Sequence, residues 1–443
     1  MNEIRDPIYG FIELTDTELK IINTPIFQRL RRIKQLAMAY LVYPTANHTR
    51  FDHSLGVFHV AKKMAKKLLP EEEDKQLIGY AALLHDVGHG PFSHVSESIF
   101  GHYIETENKN KIHEKITLKL IENDEQLNKI LSLDQISQIT GLLKGKSKDF
   151  KYSIMKEIVS GALDADKMDY LLRDSYFCGV KYGIFDLDRM INILDFYKEN
   201  SNIHLAIASD GINTLEQFVL AKYYMTRQVY RHKVRLVTDS MIVRGIELGI
   251  EKDEIPFLKS LYIYKDDADY LNNYLKYVDE KILFEILDQK RDSFAYKIFN
   301  NLNNRNLFKI IFSENIKYLL TGKARDKLIE INKDIELKNS IEEKIASCLG
   351  CEKEFVIVNG FQFKSVKEMS GDDDEGKLII LSKDGSKREF QDESLIFKSI
   401  DDTLNEIYFE VYAPFEFGSV QEKEKKQKKI KDDIIQILKD MEV

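Results

Sequence analysis

Eight of the ten histidines of this 443-residue chain, at 48, 53, 59, 85, 89, 94, 102 and 113, lie between residues 48 and 113. An even spread would put only about 1.5 of them in that window. No other feature constrains the fold as strongly, because imidazole is both a neutral metal ligand and the side chain suited to moving protons near neutral pH. A fold that gathers these rings builds a chemical site.

The surrounding pattern says which rings point inward. Val57, Val60, Ala61, Met64, Ala65 and Leu68 follow the stripe of an amphipathic helix, and His53 extends that stripe one turn toward the N-terminus. A second helix over 77–88 sets Leu77, Ile78, Ala81, Ala82 and His85 on one face and meets a stop signal at Gly88. A third is expected over 154–170, with Met155, Val159, Ala162, Asp166 and Tyr170 sharing a face. Asp166 then occupies an apolar position, and a buried carboxylate is costly unless a cation or strong donors compensate it. Lys167 or Arg173 would do so in a purely structural ion pair. With His53, His85 and Asp86 alongside, the stronger reading is a His-His-Asp-Asp set for a divalent ion that leaves positions open for water or a phosphate oxygen.

Composition narrows the class. Hydrophobic residues are 43%, charged residues 31% and the formal net charge is −8, as in an ordinary globular protein and unlike a chain that coats nucleic acid. Nucleic acid is not expected as the main partner. Three cysteines make no disulfide framework, the charged opening Met1-Asn2-Glu3-Ile4-Arg5-Asp6 lacks the apolar run of a secretory signal, and no stretch approaches about 18 apolar residues. A cytoplasmic protein with no membrane partner is expected.

Three strings together carry a resemblance: Arg50-Phe51-Asp52-His53-Ser54-Leu55-Gly56-Val57; His85-Asp86-Val87-Gly88-His89-Gly90-Pro91-Phe92-Ser93-His94; and Asp164-Ala165-Asp166-Lys167-Met168-Asp169-Tyr170-Leu171-Leu172-Arg173-Asp174. The chain resembles the HD-domain phosphohydrolases, and within them the deoxynucleoside triphosphate (dNTP) triphosphohydrolases, the group of the animal sterile-alpha-motif/HD-domain enzyme. Asp6-Pro7-Ile8-Tyr9-Gly10 and the run from Thr24 to Leu36 belong to the same likeness, which covers about 6 to 240. The resemblance implies His53, His85, Asp86 and Asp166 as metal ligands for Mn, Fe, Mg or Zn, with a second Mg accompanying the triphosphate. It implies Arg50, Lys167 and Tyr170 on the triphosphate, and Gln35 and Asp174 on the sugar 3′-hydroxyl. Leu36 and Tyr230 would leave no room for a 2′-hydroxyl. His89, His94 and His113 would line the phosphate path, His94 or His113 giving the leaving 5′-oxygen its proton. The implied reaction is a dNTP plus water giving deoxynucleoside and triphosphate. Gln28, Arg31 and Lys233 match effector-site positions, whereas Asn23 stands where the animal enzyme reads guanine through an aspartate, so a nucleotide effector is expected but not a guanine-specific one. No sterile-alpha-motif domain is expected before the first motif.

Two other readings compete: an HD hydrolase of monophosphates, cyclic dinucleotides or alarmones, and a non-catalytic nucleotide sensor. The sugar-reading set argues against the first and the complete ligand set against the second. Other signals read as ordinary structure. Gly141 to Ser147 is a solvated loop rather than a P-loop, Cys348 and Cys351 mark a helix end, Asp372-Asp373-Asp374-Glu375 is an acidic loop, and Lys423 to Lys431 is a solvated helical face. The expected fold is mainly α: an HD-domain helical core over 1–325 and a smaller C-terminal α+β lobe over 326–443. Strands are expected near 203–209, 355–358, 377–385 and 407–412. In the resembled family such a lobe helps to build homo-oligomers, so a dimer or tetramer is expected.

Overall fold

The computed structural model describes residues 2–104, 112–145, 151–199, 202–320, 322–329, 331–332, 334–363, 377–399, 406–416 and 420–440. Lys146, Ser147 and the acidic run 372–375 lie outside the described residues. The protein is mainly α, with small sheets. It forms two compact units: Met1–Arg235 with Phe257–Phe284 and Val366–Ile400, and Leu236–Pro256 with Glu285–Ser365 and Asp401–Val443. Each is assembled from several segments, where the expected division at 325/326 is a single cut.

The first unit opens with helices α1 (Asp16–Ile22) and α2 (Pro25–Gln28). Next come α3 (Arg50–Leu68), α4 (Glu72–Leu84), α5 (His94–Tyr103), α6 (Ile112–Asn123), α7 (Leu127–Ile130) and α8 (Leu133–Lys144). It continues through α9 (Lys151–Val159), α10 (Ala165–Cys178), α11 (Leu187–Ile193) and α12 (Ile212–Met225), and a π-helical turn over Thr226–Tyr230 precedes α13 (Lys233–Glu251), which from Leu236 onward belongs to the second unit. The apolar stripe of α3 is buried as its spacing predicts, with Val57, Val60, Ala61 and Met64 all at 0% exposure. Each such side chain contributes roughly 1.5–3 kcal/mol, so Met64→Ala is expected to cost about 2–5 kcal/mol.

The strands are β1 (Asn2–Asp6), β2 (Gly10–Leu14), β3 (Leu194–Glu199), β4 (Asn202–Ala208), β5 (Lys309–Asn315), β6 (Ile357–Phe363), β7 (Ile379–Leu381), β8 (Lys387–Glu389) and β9 (Glu406–Ala413). β1 and β2 form a hairpin, and a second sheet runs β3-β4-β7-β8 with β4 and β7 parallel, Ile207 opposite Ile380. The sequence placed 377–385 with the tail lobe, but this strand completes a sheet of the first unit. In the second unit the antiparallel sheet β5-β9-β6 packs Phe312, Val358, Phe409 and Val411 against Ile341 and Ile345 of the helix Ile335–Leu349 and Ile434 and Leu438 of the helix Val420–Lys439. Ile430, Ile434 and Leu438 are buried four residues apart, while Lys425, Lys426, Lys428 and Lys429 are exposed.

The single helix expected over 154–170 is broken. α9 ends at Val159, residues 160–164 leave the helix, and α10 starts at Ala165 with Asp164 as its N-cap. The physical reason is local. Asp164 accepts from Lys167 N (2.7 Å) and Gly161 N (2.9 Å), a cap that competes with helix continuation. Asp166 thus lies in a helix's first turn, its side chain 35% exposed, rather than on a continuous buried stripe.

Candidate metal and phosphate site

Local sequence sets the first ligand candidate. The Asp52 carboxylate accepts from both the N–H and the hydroxyl of Thr49 (2.8 Å each), starting α3 at Arg50 and placing Arg50 and His53 in its first turn. His85 caps the C-terminus of α4, and the turn it opens is pressed against α6. A Cβ on Gly88 would sit 2.3 Å from Thr117 N, so only glycine permits that approach.

Four donor groups converge. His53 Nε2 lies 2.8 Å from Asp166 Oδ1 and 3.9 Å from Asp86 Oδ2, and His85 Nε2 lies 3.3 Å from Asp86 Oδ1 and 3.9 Å from Asp166 Oδ1. Each imidazole is fixed from behind, His53 Nδ1 by Asp169 Oδ2 and His85 Nδ1 by the Ala82 carbonyl, both at 2.8 Å. An Nδ1–H held this way turns Nε2 inward, the arrangement of metal-binding histidines. His85 Nε2 is buried without a hydrogen-bond partner, as a ligand atom awaiting a cation would be. The residues fit a divalent ion. Burial opposes charge on His53, but its bonds to Asp166 and Asp169 outweigh burial and raise it to about 10. Burial would raise Asp166, yet His53 and His85 lower it to about 2; burial would raise Asp86 as well, but His85, Arg50 and His89 hold it well below the carboxylate range. His53 Nε2 thus shares a proton with Asp166, and a divalent cation would take that proton's place among the carboxylates.

Asp169, which the sequence reading quoted without a role, is the hub behind His53. It is fully buried and accepts from Arg173 Nε (2.9 Å) and Nη2 (3.0 Å) and from Tyr9 OH (2.8 Å), while Arg173 Nη1 reaches Asp6 at 2.9 Å. Gly56 makes this possible, since a Cβ there would fall 1.8 Å from Asp169 Oδ1. The expected structural partners of Asp166 are engaged elsewhere: Arg173 with Asp169 and Asp6, and Lys167 Nζ with Asp164 (2.9 Å) and the Gly161 carbonyl (3.0 Å). The i, i+4 spacing of Asp169 and Arg173 was the available signal for this network.

Beyond the ligands lies a cleft, open to solvent and about 760 Å³ in volume out to its mouth, lined by Gln35, Arg50, His85, Asp86, His89, His94, His113, Asp166 and Tyr170 among others. Arg50 donates to Asp86 (2.7 Å) and Ser93 Oγ (3.0 Å), and its buried Nη2 has no partner. His89 and His113 stack at 4.2 Å, with His94 edge-on to His89 at 5.2 Å. Burial, Arg50 and His113 push His89 well down, so it is neutral at neutral pH. Burial also opposes charge on His113, but Glu97, 3.0 Å away, raises it. The turn before His94 carries two non-glycine residues in the left-handed region, Phe92 at φ 64° and Ser93 at φ 54°. Such conformations cost roughly 1–2 kcal/mol each. Asp279 offsets part of this by accepting from Phe92 N (2.7 Å) and Lys34 N (2.9 Å).

The remaining candidates fall in two groups. Asp174 and Leu36 are buried, Tyr230 is half-buried and donates to Asp174 (2.7 Å), and Tyr170 meets Tyr230 edge-on at 6.0 Å. Lys167 is not among the cleft-lining residues. Of the effector candidates, Arg31 and Lys233 are exposed, and Gln28 accepts from Arg31 Nε at 2.8 Å.

Similarity to known proteins gives the family. The HD domain family matches residues 50–174 and the HD associated region matches 185–426. An uncharacterized Methanocaldococcus jannaschii protein is 32% identical over 100% of this chain and 85% of its own length. The deoxynucleoside triphosphate triphosphohydrolase SAMHD1 homolog of Dictyostelium discoideum is 31% identical over 73% of this chain, which spans 63% of it. The crystal structure of a phosphohydrolase from Bacteroides thetaiotaomicron superposes with a TM-score of 0.73 at 26% identity, covering 93% of this chain and 99% of that one. The protein belongs to the HD-domain family with an HD-associated region, a family of phosphohydrolases. Among the described residues no helix is long and apolar enough to cross a membrane.

Proposed function

We propose that the protein hydrolyses dNTPs to deoxynucleoside and inorganic triphosphate. The observation that carries the reading is the convergence of His53, His85, Asp86 and Asp166 at a cleft into which Arg50 offers an unpaired guanidinium nitrogen. Those four residues would hold a divalent ion, whose chemistry is to make water nucleophilic at neutral pH and offset charge on the α-phosphoryl group. Arg50 Nη2 donates to a phosphoryl oxygen, a charge-assisted bond suited to a fixed guanidinium. His89, kept neutral, orients the phosphate. His113, whose proton affinity Glu97 raises, is the preferred proton donor to the leaving 5′-oxygen, with His94 as the alternative. Gln35, whose buried Oε1 lacks a partner, and Asp174 take the sugar 3′-hydroxyl, while Leu36 and Tyr230 exclude a 2′-hydroxyl. Tyr170 flanks the triphosphate, and Lys167 joins it only by leaving Asp164.

A cytoplasmic homo-oligomer, activated by a nucleotide at Gln28, Arg31 and Lys233, completes the reading, with the first unit as catalytic core and the second unit as its assembly lobe. The test is a panel of four dNTPs and four NTPs with Mn²⁺ or Mg²⁺, alone and in pairs, with products separated. The expected product is inorganic triphosphate from dNTPs, with NTPs turned over far more slowly. Pyrophosphate or orthophosphate as the first product, or equal rates for NTPs, would overturn it.

A further inference from the structure

His48 is fully buried, stacked on Phe177 with ring centroids 4.7 Å apart, and lies outside both the ligand set and the cleft lining. Its contacts are specific. Its Nε2 stands 2.7 Å from Asp174 Oδ1, and the other oxygen of the same carboxylate receives Tyr230 OH at 2.7 Å. Its carbonyl accepts the N–H of Gln35 at 3.1 Å, in a short antiparallel bridge where Lys34 faces Thr49 and Arg50 N bonds the Ile33 carbonyl at 2.8 Å. The loop carrying it is pinned on both sides, by Thr45 to the Phe177 carbonyl (2.5 Å) and by Tyr43 to the Gln228 carbonyl (2.9 Å), within the π-helical turn that ends at Tyr230. Such turns recur at functional sites because they re-aim a side chain inside a helix. One residue thus bonds two segments distant in sequence, the strand-like stretch bearing Gln35 and the helix bearing Asp174.

We propose that His48 is a positioning residue for sugar recognition: its ring orients the Asp174 carboxylate and its carbonyl fixes Gln35, so that it sets discrimination at the 3′-hydroxyl without touching the ligand. The inference rests on the reading that Gln35 and Asp174 face the sugar. A buried carboxylate with one oxygen committed to His48 and the other to Tyr230 has a single orientation, and removing the imidazole frees it to rotate or recruit water. The backbone bond to Gln35 survives substitution of the side chain, so the ring is separable by mutation.

The experiment compares steady-state kinetics on a dNTP and its 2′,3′-dideoxy counterpart, with Mn²⁺, for the unmodified protein, His48→Phe, His48→Asn and Asp174→Ala. Phenylalanine keeps the stack on Phe177 but cannot bond Asp174; asparagine keeps a donor. In the unmodified protein the dideoxy KM is expected to exceed the deoxy KM by about tenfold or more, the worth of a hydrogen bond to a charged group. His48→Phe is expected to raise the deoxy KM by about tenfold while kcat and the dideoxy KM change less than about threefold, and His48→Asn to recover part of the loss. A deoxy-to-dideoxy ratio unchanged in His48→Phe but collapsed in Asp174→Ala overturns the role of His48 and leaves the sugar reading intact. An unchanged ratio in both overturns the sugar reading and the inference with it. Equal loss on both substrates in His48→Phe and His48→Asn makes the residue merely structural, which also overturns it.

Discussion

His53 and His85 are tilted 69° to one another, unlike the stacked rings of His89 and His113. Behind the first pair are acceptors for Nδ1, the Asp169 carboxylate and the Ala82 carbonyl, so both Nε2 atoms face the same carboxylates. The second pair also sits within 4.8 Å of a carboxylate, Glu97, yet its rings are stacked 15° from parallel, with His89 Nδ1 unpartnered. Near-parallel rings direct their in-plane lone pairs side by side rather than toward one centre. Glu97 serves instead as a local counter-charge that raises the proton affinity of His113. Donor count alone does not separate an ion site from a proton site; the orientation of the rings does.

The comparison breaks most sharply on Asp166→Ala, which is expected to abolish turnover and metal retention together. An active, metal-loaded variant would remove Asp166 from the ligand set. Gly56→Ala tests the support behind His53: a Cβ 1.8 Å from Asp169 Oδ1 should cost at least about 3 kcal/mol, read as a lowered Tm, and an unchanged Tm would mean the α3–α10 contact is looser than described. Asp169→Asn should weaken metal affinity about 10–100-fold while the protein stays folded at neutral pH. Glu97→Gln should leave metal content unaltered, and equal metal loss in both variants would erase the distinction between the two clusters.

The same pair of variants sharpens the comparison through pH. Glu97 raises His113, so the donor form persists to higher pH than an ordinary histidine allows. Removing that charge should move the alkaline limb of the kcat profile toward lower pH, with little change on the acid side. Any stability His113 gains from Glu97 is complete below its unfolded pKa of about 6.5 and is lost as pH rises through the folded value. Asp169 has the opposite sign. Burial alone would raise it, but Arg173 and His53 hold it far below the usual range, so its contribution is complete above about pH 4 and is lost on further acidification. Tm measured from pH 7 to pH 3 should therefore fall less steeply below pH 4 for Asp169→Asn than for the unmodified chain.

Periodicity made α3 and α4 legible, because a helix in contact with a core writes its buried face every three to four residues. It failed at 154–170, where Met155, Val159 and Ala162 keep the helical spacing but the side chain of Asp164 stops the helix. That stop is a side-chain bond, not a hydrophobic pattern. Among the strands, β4, β6, β7 and β9 fall near their expected places, while β3, whose Asp195, Lys198 and Glu199 dilute the apolar signal, was not anticipated. The pairing of β7 with β4 spans more than 170 residues and leaves no local trace. At the site, the motif strings identified His53, His85, Asp86 and Asp166, whereas the support from Asp169, Arg173, Asp6 and Tyr9 depends on contacts across as many as 167 residues. The candidate donors were readable as residue type and spacing, and what holds those residues still was not.

The central claim is that one divalent ion sits among His53, His85, Asp86 and Asp166 and none among His89, Glu97 and His113. Anomalous diffraction at the manganese edge from Mn²⁺-grown crystals tests it directly. The account predicts one protein-ligated peak, within bonding distance of His53 Nε2 and His85 Nε2. A peak ligated by His89, Glu97 and His113, or none at the first set, would contradict it.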